Sequence, residues 1–126
     1  MTGDTILHIG YDPVLTELRQ QVLERAGYRV SNVLDNNALR ERFPSDPVDA
    51  VVIGSGGTYE ERMEAATWVR QNMPGVPTLV MCASPDEEFP PGVFSFLPDT
   101  ARDWLIAVDS IIEKSRRDAR ARAARR

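Results

Sequence analysis

The sequence predicts an α/β fold, a doubly wound five-stranded parallel sheet with helices on both faces. Three observations predict it. Short apolar runs alternate with segments of helical periodicity along the whole chain. The central run, Ala50-Val51-Val52-Ile53, is apolar without alternation, as a strand buried on both faces requires. That run ends at Gly54-Ser55-Gly56-Gly57 and is followed by Thr58-Tyr59-Glu60-Glu61, whose threonine and glutamate three apart form a capping box. Strand, glycine turn and helix together make the loop that faces ligands at the carboxyl edge of a parallel sheet. Right-handed crossovers then place helices on both sides.

Each element has its own signal. Thr5 to Ile9 is the first strand, ending at Gly10-Tyr11. Asp12-Pro13 supplies an N-cap and a proline at the first helical position. Leu15, Leu18, Val22 and Ala26 recur at spacings of three and four and predict the buried face of that helix, which Gly27 ends. Tyr28 to Val33 is a second strand near an edge, diluted by Arg29, Ser31 and Asn32. Asp35-Asn36-Asn37 caps a short helix that stops before Pro44, and the central strand covers Val48 to Ile53. A third helix spans Tyr59 to Asn72 with Met63, Ala66, Val69 and Met73 toward the sheet, broken by Pro74-Gly75-Val76-Pro77. Thr78 to Met81 is the fourth strand. Between Ser84 and Pro91 stand Pro85, Pro90 and Pro91, leaving room for about one helical turn. Val93 to Leu97 is the fifth strand. Thr100 caps the last helix, whose buried stripe is Leu105, Val108, Ile111 and Ile112.

At 126 residues, 42% of them hydrophobic and 27% charged, the chain reads as one soluble globular domain. The single cysteine, Cys82, excludes an internal disulfide and fits a reducing compartment. No basic segment leads into a long apolar run at the N-terminus, and no apolar stretch approaches the ~20 residues of a membrane span. A cytoplasmic location is the expectation. The net charge of −4 divides unevenly. Through Lys114 the balance is −9; from Ser115 on, Arg116, Arg117, Arg120, Arg122, Arg125 and Arg126 oppose only Asp118, for +5. The chain thus divides into a body, residues 1–115, and a basic Arg/Ala-rich tail, residues 116–126.

Chemistry at the sheet's carboxyl edge is sparse. No Lys follows the glycines, so this is not a phosphate-binding P-loop, and no carboxylate or histidine ends the central strand. A small-molecule site would gather Gly10, Tyr11, Gly54 and Ser55. The turn Ser55, Gly56, Gly57 and Thr58 offers backbone amides to an anion, although a tight turn is the simpler reading. Ser55 reads as a solvated turn serine rather than a modification site. His8, mid-strand, reads as a hydrogen-bonded core residue, and Cys82 as a small apolar one. Asp12 and Asp35 are helix caps.

The order of elements, with Asp12-Pro13 after the first strand, Asp49 opening the third and Pro77 opening the fourth, resembles the receiver domain of bacterial two-component response regulators. The resemblance covers roughly Thr5 to Ser115. It implies a flavodoxin-like sheet in the order 2-1-3-4-5 and a signalling role. In that family an acidic pair after the first strand holds Mg²⁺, an aspartate ending the third strand accepts a phosphoryl group, and a Ser or Thr and a Lys end the fourth and fifth. Here those positions fall on Gly10 and Tyr11, on Gly54, on Cys82 and on Asp99. A slip of one residue would offer Asp12 as a metal ligand, but its place before Pro13 favours capping. The family's helix between the fourth and fifth strands is reduced to a turn.

The resemblance therefore implies a degenerate, pseudo-receiver form that acts by protein–protein contact without aspartyl phosphorylation. No enzymatic activity, cofactor or metal is expected. A protein partner is implied, and a homodimer stays open. Two other readings stand beside it: a small-ligand or nucleotide-binding flavodoxin-like protein, and a nucleic-acid-associated protein using the arginine tail. No catalytic set marks the first, and no aromatic residue interleaves the arginines to mark the second.

Overall fold

A computed structural model of the chain describes residues 4–42, 47–97 and 101–124, the last range without the side chain of Ala101. Five strands, β1 (Thr5–Ile9), β2 (Arg29–Val33), β3 (Ala50–Ile53), β4 (Thr78–Met81) and β5 (Val93–Phe96), form one sheet in the order β2-β1-β3-β4-β5. Every pairing is parallel. Among the described residues four helices complete it: α1 (Pro13–Arg25), α2 (Asn36–Arg42), α3 (Tyr59–Asn72) and α4 (Ala101–Ala124). The doubly wound sheet of the sequence reading is the architecture found. Strand ends differ by a residue or two from the sequence reading: β2 starts after Tyr28, β3 starts at Ala50 and β5 stops at Phe96.

The sheet carries a separate core on each face. Ile6, Ala50, Val52, Leu79 and Met81 pack with Leu23 of α1 and with Trp104, Val108, Ile111 and Ile112 of α4. Leu7, Ile9, Val51, Ile53 and Val80 pack with Leu39 of α2 and Ala65, Ala66 and Val69 of α3. Neighbouring residues on β1, β3 and β4 alternate between the two cores, as the period of a strand dictates. All four residues of β3 are fully buried, which explains the absence of polar residues in that run.

Three helix faces depart from the sequence reading. On α1 the buried residues are Thr16 and Leu23, while Leu15, Leu18 and Ala26 are exposed and Val22 is half-buried. The helix is turned by about one residue because its start is fixed twice. Asp12 Oδ1 accepts from the Val14 and Leu15 N–H groups at 2.9 and 3.2 Å, and the Thr16 hydroxyl donates to the Asp12 carbonyl at 2.7 Å. On α3, Ala66 and Val69 face the sheet as expected, but Met63 is half-buried and Arg62 goes inside. On α4, Trp104 joins Val108, Ile111 and Ile112 in the core, and Leu105 sits at its margin. The predicted cap Thr100 and the stop at Pro44 lie outside the described residues.

The capping box of α3 is complete. Thr58 Oγ1 accepts from the Glu61 N–H at 3.1 Å, and the Glu61 carboxylate accepts from the Thr58 N–H at 2.9 Å. Gly27 closes α1 with φ +99°, in the left-handed region that glycine enters without a Cβ clash. Between β4 and β5 the described chain has no helix. The α4 helix runs unbroken through Ala124, so the arginines from Arg116 to Arg122 stand on a helix, and Arg125 and Arg126 lie outside the described residues.

Candidate functional site

The carboxyl ends of β1, β3 and β4 meet where a receiver would hold its phosphoryl chemistry. Gly10 and Tyr11 follow β1, Gly54 follows β3 and Cys82 follows β4. Asp99 lies outside the described residues. What surrounds each position decides what it can do.

At Gly10 there is no room for a side chain. A Cβ placed there would fall 1.8 Å from Thr16 Oγ1 and 2.9 Å from Thr16 Cβ. Tyr11 points across to the other loop: a Cβ on Gly57 would meet its ring at 2.6 to 2.9 Å. The Tyr11 hydroxyl donates to Asn36 Oδ1 at 2.8 Å and lies 3.2 Å from the Glu61 carbonyl, to which Asn36 Nδ2 also donates at 2.9 Å. Burial, with Glu61 and Glu64 nearby, pushes this phenol well above its usual range and keeps it neutral. Gly56 lies against Asp12 in the same way, its Cβ position 3.1 Å from the Asp12 N and Cβ. The loop after β1 and the loop after β3 are thus closed on one another at two glycines.

Into the third position comes a cation. A Cβ on Gly54 would lie 3.0 Å from Arg19 Nη1, 3.3 Å from the Ile9 carbonyl and 3.5 Å from His8 Nε2. Arg19 Nη2 donates to Ser55 Oγ at 3.0 Å. Partial burial pulls the guanidinium's pKa down, and the charge of Asp12 opposes that shift. A guanidinium from α1 therefore stands where a side chain on Gly54 would project. Sequence reading missed Arg19 because it treated α1 as turned by one residue; on the true inner stripe, Thr16, Arg19, Gln20 and Leu23, the arginine is inward.

His8 is fully buried beneath this point. Its Nδ1 lies 3.1 Å from Asn32 Oδ1, and Asn32 Nδ2 donates in turn to Gln20 Oε1 at 2.5 Å. Desolvation lowers its pKa to about 4, against a smaller upward pull from Asn32, and Arg19 adds to the lowering. It is a core residue with a hydrogen bond, as read from sequence. Cys82 is buried, its N–H donating to the Phe96 carbonyl at 2.8 Å.

The proline-rich segment after β4 is fixed by α3. Arg62, 2% exposed, makes a two-pronged ion pair with Glu87, Nη1 to Oε1 at 2.6 Å and Nη2 to Oε2 at 2.7 Å. It also donates to the Gly57 and Met81 carbonyls at 3.2 Å each. Glu87 accepts from the Ala83 N–H at 2.8 Å, and the Arg62 contact holds its carboxyl down at about 2. The Tyr59 hydroxyl donates to the Glu88 carbonyl at 2.5 Å, and its ring meets Phe89 edge-on at 5.5 Å between centroids. Arg62 and Glu87 escaped sequence reading, since an arginine one residue before Met63 carries no mark of burial.

Among the described residues, those at this edge do not fit a divalent ion. Gly10 and Tyr11 bring no carboxylate, and Asp12 Oδ1 is taken by two helix N–H groups. At the turn from Ser55 to Thr58, the Thr58 N–H is already engaged by the Glu61 carboxylate of the capping box.

No known family profile matches the chain, and no curated protein matches it. Solved structures do. A CheY-like receiver domain protein from Methanospirillum hungatei JF-1 superposes with a TM-score of 0.80 at 16% identity, over 93% of this chain and 99% of that one. The signal receiver domain of an HD domain-containing protein from Pseudomonas fluorescens Pf-5 gives 0.79 at 17% identity, over 95% and 94%. NtrX from Brucella abortus gives 0.84 at 14% identity over 98% of this chain, which spans only 30% of that one. The chain has the fold of response-regulator receiver domains.

Proposed function

We propose that this chain is a pseudo-receiver, a signalling module that acts by protein–protein contact without aspartyl phosphorylation. One observation supports the reading: Gly54, the residue that the resemblance aligns with the acceptor, has no side chain and has the Arg19 guanidinium beside it. Phosphoryl transfer to aspartate needs a nucleophilic carboxylate and a divalent metal that neutralises the phosphate. Gly54 supplies no nucleophile. Gly10 and Tyr11 supply no metal ligand, and their space is filled by Thr16 and by the packing of Tyr11 on Gly57. The aligned lysine position, Asp99, has the opposite charge. In this reading the module has no enzymatic activity, and its output surface is a body of net charge −9 joined to a basic helix.

Incubation with acetyl phosphate and Mg²⁺, followed by intact-mass spectrometry, tests it. The expected spectrum shows no phosphoryl adduct. An alkali-labile adduct on the wild-type chain would overturn the reading. A nucleic-acid role would show as submicromolar duplex binding at physiological salt, where the acidic body instead opposes a polyanion.

A further inference from the structure

At the opposite edge of the sheet, a cavity of about 260 Å³ opens between the end of α1, the start of β2 and α4. Its walls are Asp4, Ala26, Tyr28, Asp109, Ile112, Glu113 and Arg116. Three carboxylates line it beside the Arg116 guanidinium, and at the rim Arg120 Nη2 reaches Glu113 Oε1 at 3.4 Å. All three are committed only in part. The Tyr28 hydroxyl donates to Asp109 Oδ1, and Arg116 Nη2 pairs with Asp4 Oδ1. Among the described residues Asp4 Oδ2 has no hydrogen-bond partner, although the residue is only 7% exposed. A buried carboxylate oxygen without a donor is costly, and it marks a place where a donor belongs.

We infer that this cavity binds an organic cation bearing ammonium or guanidinium groups. Asp109 and Glu113 would hold the positive charge at the rim, and Asp4 Oδ2, closed to solvent as it stands, would accept from one such group once the Arg116 side chain gives way. Arg116 and Arg120 already display the recognition, since each engages one of these carboxylates, Asp4 and Glu113, through a guanidinium N–H. The Arg116 side chain is 46% exposed, so a ligand can enter beside it. A bare divalent ion fits worse. Among the described residues, no three His, Cys, Asp or Glu side chains come close enough together to hold one. A longer cation can span carboxylates that a single ion cannot bridge. Tyr28 reports the same field: burial first, then Asp109 and Asp4, raise its hydroxyl well above the usual phenol range. The inference does not rest on the pseudo-receiver reading, because the cavity lies at the other edge of the sheet from Gly54.

The same chemistry could be delivered by a free polyamine or by a cationic side chain of a partner protein. The probes are therefore spermidine and N-acetyl-arginine amide, titrated into the ¹⁵N-labelled full chain at low salt, with MgCl₂ as a third arm. Expected are saturable shifts centred on Asp4, Tyr28, Asp109 and Glu113. Glu113→Gln, a surface change, should weaken binding about tenfold, and Asp109→Asn should do likewise while keeping an acceptor for Tyr28. Glu60→Gln with Glu64→Gln on α3 removes charge from the other face and should leave binding unchanged. Tighter binding of spermidine assigns a free ligand, and tighter binding of the arginine amide assigns a partner's side chain; both uphold the site. Shifts spread over all acidic surfaces, or equal weakening by the α3 pair, would overturn it as general charge screening. So would binding of Mg²⁺ at the same residues with equal affinity.

Discussion

Substituting Gly54 by aspartate tests the part played by Arg19. The backbone there is not left-handed, and the nearest atom a Cβ meets is the end of a flexible side chain, so the new carboxylate fits with a shift of Arg19 and a slight give at the Ile9 carbonyl, 3.3 Å away. It then pairs with the guanidinium instead of a metal. We expect no phosphoryl uptake from acetyl phosphate, and a coupling between Gly54→Asp and Arg19→Leu of about 1 kcal/mol in a double-mutant cycle, kept low by solvent screening. Zero coupling would place the two side chains apart. Restoring the acidic pair is harder still, because any side chain at Gly10 must displace Thr16, the same residue that fixes the start of α1.

Two single residues also set the response to acid. The pKa of His8 is depressed in the folded chain, so as pH falls from about 6.5 toward 4 the unfolded chain takes up a proton that the native one refuses. Stability should fall across that window by on the order of 3 kcal/mol and then level off. The Glu87 carboxyl is also depressed, from 4.5 to about 2, so its contribution is present above 4.5 and lost as pH falls toward 2. Urea titrations at a series of pH values should show two successive losses. His8→Gln should flatten only the upper one and Glu87→Gln only the lower; a single merged slope in every variant would refute the assignment.

At the scale of elements, the segment between β4 and β5 stays in place without a helix of its own because α3 holds it. Removing one partner of a buried ion pair leaves a charge with neither water nor counter-ion. Glu87→Ala should therefore cost about 3–5 kcal/mol, whereas the double change Arg62→Met, Glu87→Leu should cost much less. Equal losses would mean that the loop is held by Tyr59 and Phe89 rather than by the ion pair. The sequence made strands and helix limits legible because apolar runs, prolines and the Thr58–Glu61 box act locally. The face of α1 was not legible. Leu15 and Leu18 match a helical period, but a cap at Asp12 and a threonine seated on Gly10 outweigh two leucines that the sheet has no room for. The site followed the same rule: counting along the chain brought Gly10, Tyr11, Gly54 and Cys82 together at one edge, whereas Arg19 and Arg62 enter from helices through contacts 25 to 36 residues apart in sequence.

For the molecule as a whole, we propose that the body reaches one residue past the division at Ser115. Arg116 pairs with the buried Asp4 at the start of β1, joining the two ends of the chain, and so belongs energetically to the body. A chain ending at Arg117 should match the full chain within about 0.5 kcal/mol, as exposed positions generally do. A chain ending at Ser115 should lose about 1–3 kcal/mol by stranding a buried carboxylate. Denaturant midpoints of the two truncations decide it, and equal midpoints would show the ion pair to be idle.

Beyond that pair, α4 continues without a break to Ala124. An unbroken helix is stiff in torsion, so it transmits angle as well as distance. Each residue added or removed between the body and anything attached beyond Ala124 would swing the attachment by about 100° and shift it by about 1.5 Å. A change of one residue would turn it to a different side of the axis, and a change of seven would bring it back nearly to its starting azimuth, about 10 Å further out or in. The projecting helix thus gives the molecule a phase.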